Sequence, residues 1–325
     1  MDRTRHSLRG AKEPPLRPHA AKSSEERQSL LSFYQRYSYR NGPGEYSDNH
    51  HNISPPRDET SWEKAVAYLS ADVSTRWTDL VLLVCFMISG LVDSGAYNAY
   101  SCFVSMQTGN TIFLALGANS LPVASPSLAW TKSITAILSF ILGAALISAF
   151  HRNFGPRKRW VLAASFTFQL LVTAAAAAVI THGGASESPA KPGEPSDLSG
   201  VPRDIGFPTI DLVPIGLLSF QAAGKVVASR VLGMNALPAV VLTTLYNDLA
   251  SDPALLTAGL AGNVQRNRRA GGLVAYVFGA LVGGAFAKSA VGLAGALWFT
   301  AGIKFLLVFA WLFWREEGKE EEGEA

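Results

Sequence analysis

From Asp79 onward the chain alternates between long apolar stretches and short polar connections. Six of the stretches are long, at residues 79–100, 133–150, 160–180, 210–233, 271–287 and 292–314, and two are short, at 103–118 and 236–250. A helix rises ~1.5 Å per residue, so about 20 apolar residues reach across a ~30 Å hydrocarbon layer. Helices that are apolar all round have no face to offer water. The pattern predicts an all-α, polytopic membrane helix bundle.

The charged loops decide what the short stretches do, because Lys and Arg in short connections favour the cytoplasmic side. If all eight stretches cross with the N-terminus inside, the four Lys/Arg of "HRNFGPRKR" (151–159) fall outside. If the two short ones dip in and return, that loop lies inside together with the arginines of "VQRNRR" (264–269), while the acid-rich 183–211 connection lies outside. Six spanning helices plus two re-entrant or broken segments therefore fit the charges, with both termini cytoplasmic. Span, short segment, span, span then occurs twice, and an odd number of crossings per half makes a 3+3 inverted repeat. Gly90-Leu91 matches Gly216-Leu217, and Thr108 precedes Leu114-Ala115 by the same distance as Thr243 precedes Leu249-Ala250.

Composition divides the chain further. Residues 1–59 are rich in Arg, Ser, Pro, Gly and Glu, which bury too little apolar surface to offset the entropy of ordering, so a disordered cytoplasmic tail is expected. Inside it, the aromatic-basic Ser29–Arg40 stretch is either a lipid-headgroup contact or plain solvated chain, and Asn52 fits a glycosylation acceptor only if the tail is outside. Residues 60–78 read as an amphipathic juxtamembrane helix: Thr60 and Glu63 have capping-box spacing, and Trp62, Val66 and Leu69 share a face. The membrane domain is 79–314, followed by an acidic tail, 315–325. No signal peptide leads the chain, so the first span is expected to direct insertion. The net charge of +3 is dispersed and points to no nucleic acid. Cys85 and Cys102 both sit in apolar sequence and suit neither a disulfide framework nor a metal site.

The polar knot "QTGN" interrupts the first short stretch. Backbone that is not helical cannot face lipid, because each unpaired N–H or C=O there costs several kcal/mol. Gln107, Thr108, Gly109 and Asn110 therefore read as a helix break facing the interior, with Thr243, Thr244, Asn247 and Asp248 approaching from the other half. Paired interruptions in inverted halves point to a transporter's midplane site. Thr, Gln and Asn also join membrane helices by hydrogen bonds, and Gly permits close approach, so a packing role stands beside the functional one.

Intramembrane charges need a partner or water. Asp93 and Lys304 lie within spans; they are either a structural pair or, for Asp93, a proton or cation site. For Asp248 and Lys225 an interfacial position, snorkelling or capping, stands beside a buried role. Gly279, Gly283 and Ala287 form a close-packing face, and Trp298, Trp311 and Trp314 suit an interfacial aromatic belt.

"GLVDSGAYNAYSCFVSMQTGNTIFLALG" and "GLLSFQAAGKVVASR", with Gln221 and Arg230, carry a resemblance to the YoaK-like family, domain of unknown function 1275, over roughly 75–315. "TTLYNDLA" resembles the family's second Thr-Gly element with Thr244 in place of glycine, and the long acid-rich tails look like a fungal-type elaboration. The resemblance implies a multi-pass integral membrane protein and supplies no substrate.

Three functions follow. The first is a transporter or channel for a small solute, bound by Asp93, Gln107, Thr108, Gly109, Asn110, Gln221, Thr243, Thr244, Asn247 and Asp248, with Lys304 as charge partner. The second is a non-catalytic membrane scaffold. The third, a membrane-embedded enzyme, is disfavoured: the histidines are scattered, and no HExxH, His box or serine elbow occurs. The expectation is therefore no catalysis, no metal and no cofactor, with the lipid bilayer and a small solute as partners, in a plasma or internal membrane.

Overall fold

The computed structural model describes residues 60–119, 129–183, 209–234, 236–237 and 242–318. The N-terminal tail with Asn52 and the Ser29–Arg40 stretch, nearly all of the 183–206 connection and the end of the acidic tail lie outside the described residues. Among the described residues there are nine α-helices and no strand beyond two isolated bridges. They are α1 (Ser61–Ser70), α2 (Thr78–Tyr100), α3 (Gln107–Ala118), α4 (Ala129–Phe154), α5 (Arg159–Thr181), α6 (Leu212–Val231), α7 (Leu242–Ala250), α8 (Val264–Lys288) and α9 (Gly292–Leu312).

Six of them, α2, α4, α5, α6, α8 and α9, are long and apolar enough to cross a membrane. This is a multi-pass membrane helix bundle. Helix α3 has 12 residues and α7 has nine, about 18 Å and 14 Å at ~1.5 Å per residue, too short to cross.

Packing fixes the direction of each span. Along α2 and α8, Leu83 meets Gly271, Met87 meets Gly279 and Leu91 meets Gly283, so both chains advance together and the helices are parallel. Gly216 meets Thr135 and Ser139 while Gly143 meets Phe220, so α4 and α6 are parallel as well. Helix α9 runs against α5, with Trp298 bonded to Thr181, Lys304 to Gln169, and Trp311 against Phe166. It also runs against α2, where Leu293 meets Gly95 and Trp314 bonds Ser74. Helices α2 and α5 thus share one direction. Helix α4 turns into α5 through a tight hairpin, with Phe154 on Trp160, and runs the opposite way.

The chain therefore leaves α2 and enters α4 on the same face. The 101–118 segment dips in and returns, and α3 does not cross. The same reasoning applies to α7 between α6 and α8. Exchanging the first four membrane elements with the last four reproduces the packing: α2 on α8 and α6 on α4, α3 on α4 and α7 on α8, α2 with α9 and α6 with α5, α5 with α9. The two halves are an inverted repeat, as the charge pattern predicts.

Glycine sets the closest contacts. A Cβ on Gly90 would lie 2.0 Å from the Tyr276 carbonyl oxygen, and one on Gly279 1.9 Å from that of Met87. The predicted close-packing face holds at Gly279 and Gly283, and its partner is α2.

One face of the bundle, here the tail face, carries α1 and the ends of α4 and α9. The predicted capping box forms: the Glu63 N–H donates to Thr60 Oγ1 (3.3 Å) and the Thr60 N–H to Glu63 Oε2 (2.7 Å). The Thr60 N–H, and after it the Thr60 hydroxyl donating to the same oxygen at 3.0 Å, hold the Glu63 carboxyl below its ordinary range. Trp62, Val66 and Leu69 are exposed, as a helix lying on a membrane surface requires. Arg159 anchors this end of the bundle by donating to the carbonyl oxygens of Tyr68 and Trp314, the latter at 2.8 Å. The 251–263 connection is tied on the same face. Arg266 donates to the carbonyls of Leu255, Ala258 and Gly259, and Asp252 accepts from Asn263 and from the Ala254 N–H, which hold its carboxyl low.

The aromatic belt needs one correction. Trp298 is exposed, but Trp311 is wholly buried in the core beside Phe166 and Trp314. Its position near a span end suited an interface; its helix face turns it inward against α5.

Candidate functional site

The helix break lies six residues before the expected place. Helix α2 stops at Tyr100, and Ser101 takes a left-handed conformation (φ 53°) that few residues other than glycine adopt. Its N–H still reaches the Tyr97 carbonyl at 2.8 Å. Residues 101–106 are irregular, and "QTGN" forms the first turn of α3. Gly109 therefore breaks nothing. It makes room, since a Cβ there would sit 2.8 Å from the Phe103 ring.

Buried irregular backbone must find partners, and here they come from three side chains. Asp93 Oδ1 accepts from the N–H groups of Val104 (3.0 Å) and Ser105 (2.8 Å). Its Oδ2 accepts from the Ser105 hydroxyl and from Tyr276 OH (3.3 Å). The Asn110 amide pairs with Phe103 as a neighbouring strand would: Nδ2 donates to the Phe103 carbonyl (2.7 Å), and Oδ1 accepts its N–H (3.0 Å). Gln107 completes the knot. It accepts from Asn110 Nδ2 at 2.9 Å and donates to the Val104 carbonyl at 3.1 Å. Asp93 lies seven residues before the end of α2, so the chain folds back roughly 10 Å into the bundle. From there α3 climbs back toward the start of α4, where Gly117 meets Trp130.

A groove of about 1140 Å³ runs beside the break. Its lining runs along α2 and α8 from Lys288 and Ser289, on the face opposite α1, down to Asp93 and Tyr276. Tyr97 and Phe103, stacked with ring centres 4.8 Å apart, both line it. Asp93 is the carboxylate at its inner end, its four bonds taken up by Val104, Ser105 and Tyr276.

The structure brings only part of the expected site together. Asp93, Gln107 and Asn110 share the break, whereas Thr108 faces outward, exposed. On α7, Thr243, Thr244 and Asn247 are exposed, and Asp248 turns to Arg269 at 3.7 Å on the tail face. The two short segments do approach each other, through apolar side chains: Leu245 packs with Leu82, Phe86, Leu237 and Tyr276, and Met106 packs on that cluster. Polarity marked the segments, but their junction is oily.

Asp93 and Lys304 are not partners. Lys304 is fully buried and donates to the side-chain oxygens of Gln221 (2.6 Å) and Gln169 (3.1 Å). Lys225 is buried too, not snorkelling, and donates to Ser89 Oγ at 2.7 Å. Ser89 and Asp93 lie one turn apart on α2, as do Gln221 and Lys225 on α6. Polar groups thus run across the bundle from the break through Ser89 and Lys225 to Lys304 and Gln169. Gln169, Ser89 and Tyr276 were missed in the sequence; an amide or hydroxyl alone in an apolar span was the available signal.

Among the described residues no cluster of His, Cys, Asp or Glu could hold a metal ion, and both cysteines are buried free thiols. A model of the family described as "Protein of unknown function (DUF1275)" matches residues 81–310. No curated protein and no solved structure matches the chain. The chain belongs to the DUF1275 family.

Proposed function

We propose that this member of the DUF1275 family moves a small solute across the membrane, as a secondary transporter or a channel, and carries out no chemistry on it. One observation carries the reading: a re-entrant break held about a third of the way into the bundle by Asp93, at the inner end of a groove that runs to one face. Irregular backbone at membrane depth is costly unless it is enclosed by protein or lines a water-filled cavity, and inverted halves are a frequent plan for alternating access. Membrane packing alone calls for neither the groove nor the second, oppositely directed segment. The solute and the lipid bilayer are the partners of this reading.

The tail face is the cytoplasmic one in this proposal. Arg157, Lys158, Arg159, Arg266, Arg268, Arg269 and Arg315 all belong to that face, against Lys132 and Lys288 near the other. Both termini then lie in the cytoplasm.

Gly284 lines the groove, and a side chain added there meets open space. Gly284→Trp should fill the groove without disturbing the α2–α8 contact. Purified protein in liposomes, tested against a panel of small neutral and ionic solutes, should move at least one of them faster than empty liposomes do. Gly284→Trp should abolish that flux, and Gly302→Trp, also in open space, should not. Equal flux through wild type and Gly284→Trp would overturn the assignment of the groove, and no flux of any solute would overturn transport.

A further inference from the structure

A second cavity, of about 340 Å³, opens on the tail face and is lined by Met234, Leu237, Asp248, Gln265, Arg268 and Arg269. It ends on Leu237, and the far-face groove ends on Tyr276. Leu237 and Tyr276 belong to the same buried cluster, with Leu82, Phe86 and Leu245, and Met106 packs against it. One layer of apolar side chains therefore stands between cavities that enter from opposite faces. Each re-entrant segment contributes to it: Met106 from the first, and Leu245 from the second.

The walls and the plug differ in freedom. Helices α2 and α8 touch backbone to backbone at Gly90, Gly279 and Gly283. Met106 and Leu245 are side chains carried by the two short segments, and the thioether is the more adaptable of the two. The Tyr276 hydroxyl latches the plug, lying 3.1 Å from Met106 Sδ and 3.3 Å from Asp93 Oδ2.

We propose that the two cavities are halves of one solute path, closed in this structure by Tyr276, Met106, Leu237 and Leu245, and that the solute passes the plug uncharged. The proposal rests on the transport reading above. The charge restriction follows from what the plug offers. Its polar atoms are one hydroxyl and one thioether sulfur, and the carboxylate beside them is already occupied by Val104, Ser105 and Tyr276. An ion would shed its water there with no free opposite charge to replace it, which is prohibitive in a membrane interior. A small neutral solute loses only a few hydrogen bonds, and constrictions of this kind gate by excluding water.

Cysteine accessibility tests the path without knowledge of the solute. With Cys85→Ala and Cys102→Ser removing the native thiols, Met234→Cys, on the partly exposed wall of the tail-face cavity, should react in liposomes with a membrane-impermeant thiol reagent from the tail face only. Adding Tyr276→Ala and Met106→Ala should raise its reaction rate from the far face by about tenfold, a change worth ~1.4 kcal/mol. A groove thiol at Ala287→Cys, reactive from the far face throughout, controls for folding and orientation. If it reacts while Met234→Cys stays protected from the far face in the opened protein, the two cavities are not one path. In the same liposomes the opened protein should leak glycerol several-fold faster than wild type, with no change for potassium or chloride. An equal rise for the ions would overturn the charge restriction. Labelling that appears from the far face, with no solute flux through wild type, would support the path and count against transport by the native protein.

Discussion

Replacing Asp93 with leucine is the perturbation whose consequence can be worked out most fully. The carboxylate accepts four bonds, two of them from backbone N–H groups of a turn buried inside the bundle. In Asp93→Leu the hydroxyls of Ser105 and Tyr276 can rotate to other acceptors. The Val104 and Ser105 N–H groups cannot, because residues 101–106 are not helical and offer no carbonyl in register. A buried donor left without a partner costs about 1–3 kcal/mol, so the two together cost roughly 2–6 kcal/mol. Water entering from the groove relieves part of this, and an expected loss of about 2–4 kcal/mol remains. Hydrogen bonds between side chains of membrane helices average only ~0.6 kcal/mol, which makes the size of the loss diagnostic of a backbone cap. Asp93→Asn keeps one acceptor oxygen for the two N–H groups and should cost about 1 kcal/mol. Cys102 lies in the break and is buried, so thermal unfolding in detergent can be followed with a thiol-reactive dye. In Asp93→Leu, Cys102 should react well before global unfolding, with Cys85 still protected. An Asp93→Leu protein that melts like wild type and keeps Cys102 protected would refute the capping role.

Three other outcomes follow from the same contacts. Asp93→Asn and Lys304→Met, combined, should show additive stability losses within ~0.5 kcal/mol in a double-mutant cycle, since Lys304 bonds Gln169 and Gln221 and not Asp93. Asn110→Ala should cost about 2–3 kcal/mol by orphaning both polar groups of Phe103, read from the same melting assay, while the exposed Thr108→Ala should cost under ~0.5 kcal/mol. Gly90→Val forces a side chain into the Tyr276 backbone and should destabilise by at least ~1–3 kcal/mol or prevent folding, whereas Gly302→Val, in open space, should purify with wild-type yield and melting temperature.

The spans were legible because a ~30 Å apolar layer imposes a length that few other structures share. The re-entrant segments were legible for a different reason: four basic residues at 151–159 had to fall on the same side as those at 264–269. Asp93 and Asn110 announced a buried polar site by their cost in an apolar stretch. Their partners did not, since a backbone N–H eleven residues away carries no mark in the sequence. Gly109 misled because glycine serves close approach as often as it serves a break, while the residue that turns the chain, Ser101, looks ordinary. The Lys304 partners depend on which faces of α5, α6 and α9 meet, and periodicity cannot decide that when three helices are apolar all round. The α7 polar residues misled for a related reason. A nine-residue helix at the bundle edge turns its polar face outward and buries Leu245, so Thr243, Thr244 and Asn247 never reach the interior.

Re-entrance is the claim on which the rest depends, and two-sided labelling of the segment ends tests it most directly. Ser101 and Asn119 flank the first short segment and are exposed; Ser251 and Gln265, also exposed, flank the connection after the second. In a background of Cys85→Ala and Cys102→Ser, single cysteines at Ser101 and Asn119 should react with an impermeant reagent from one side of the membrane. Cysteines at Ser251 and Gln265 should react from the other. Labelling of Ser101→Cys and Asn119→Cys from opposite sides would mean that α3 crosses the bilayer, and the inverted repeat, the groove and the path through it would all fall with that result.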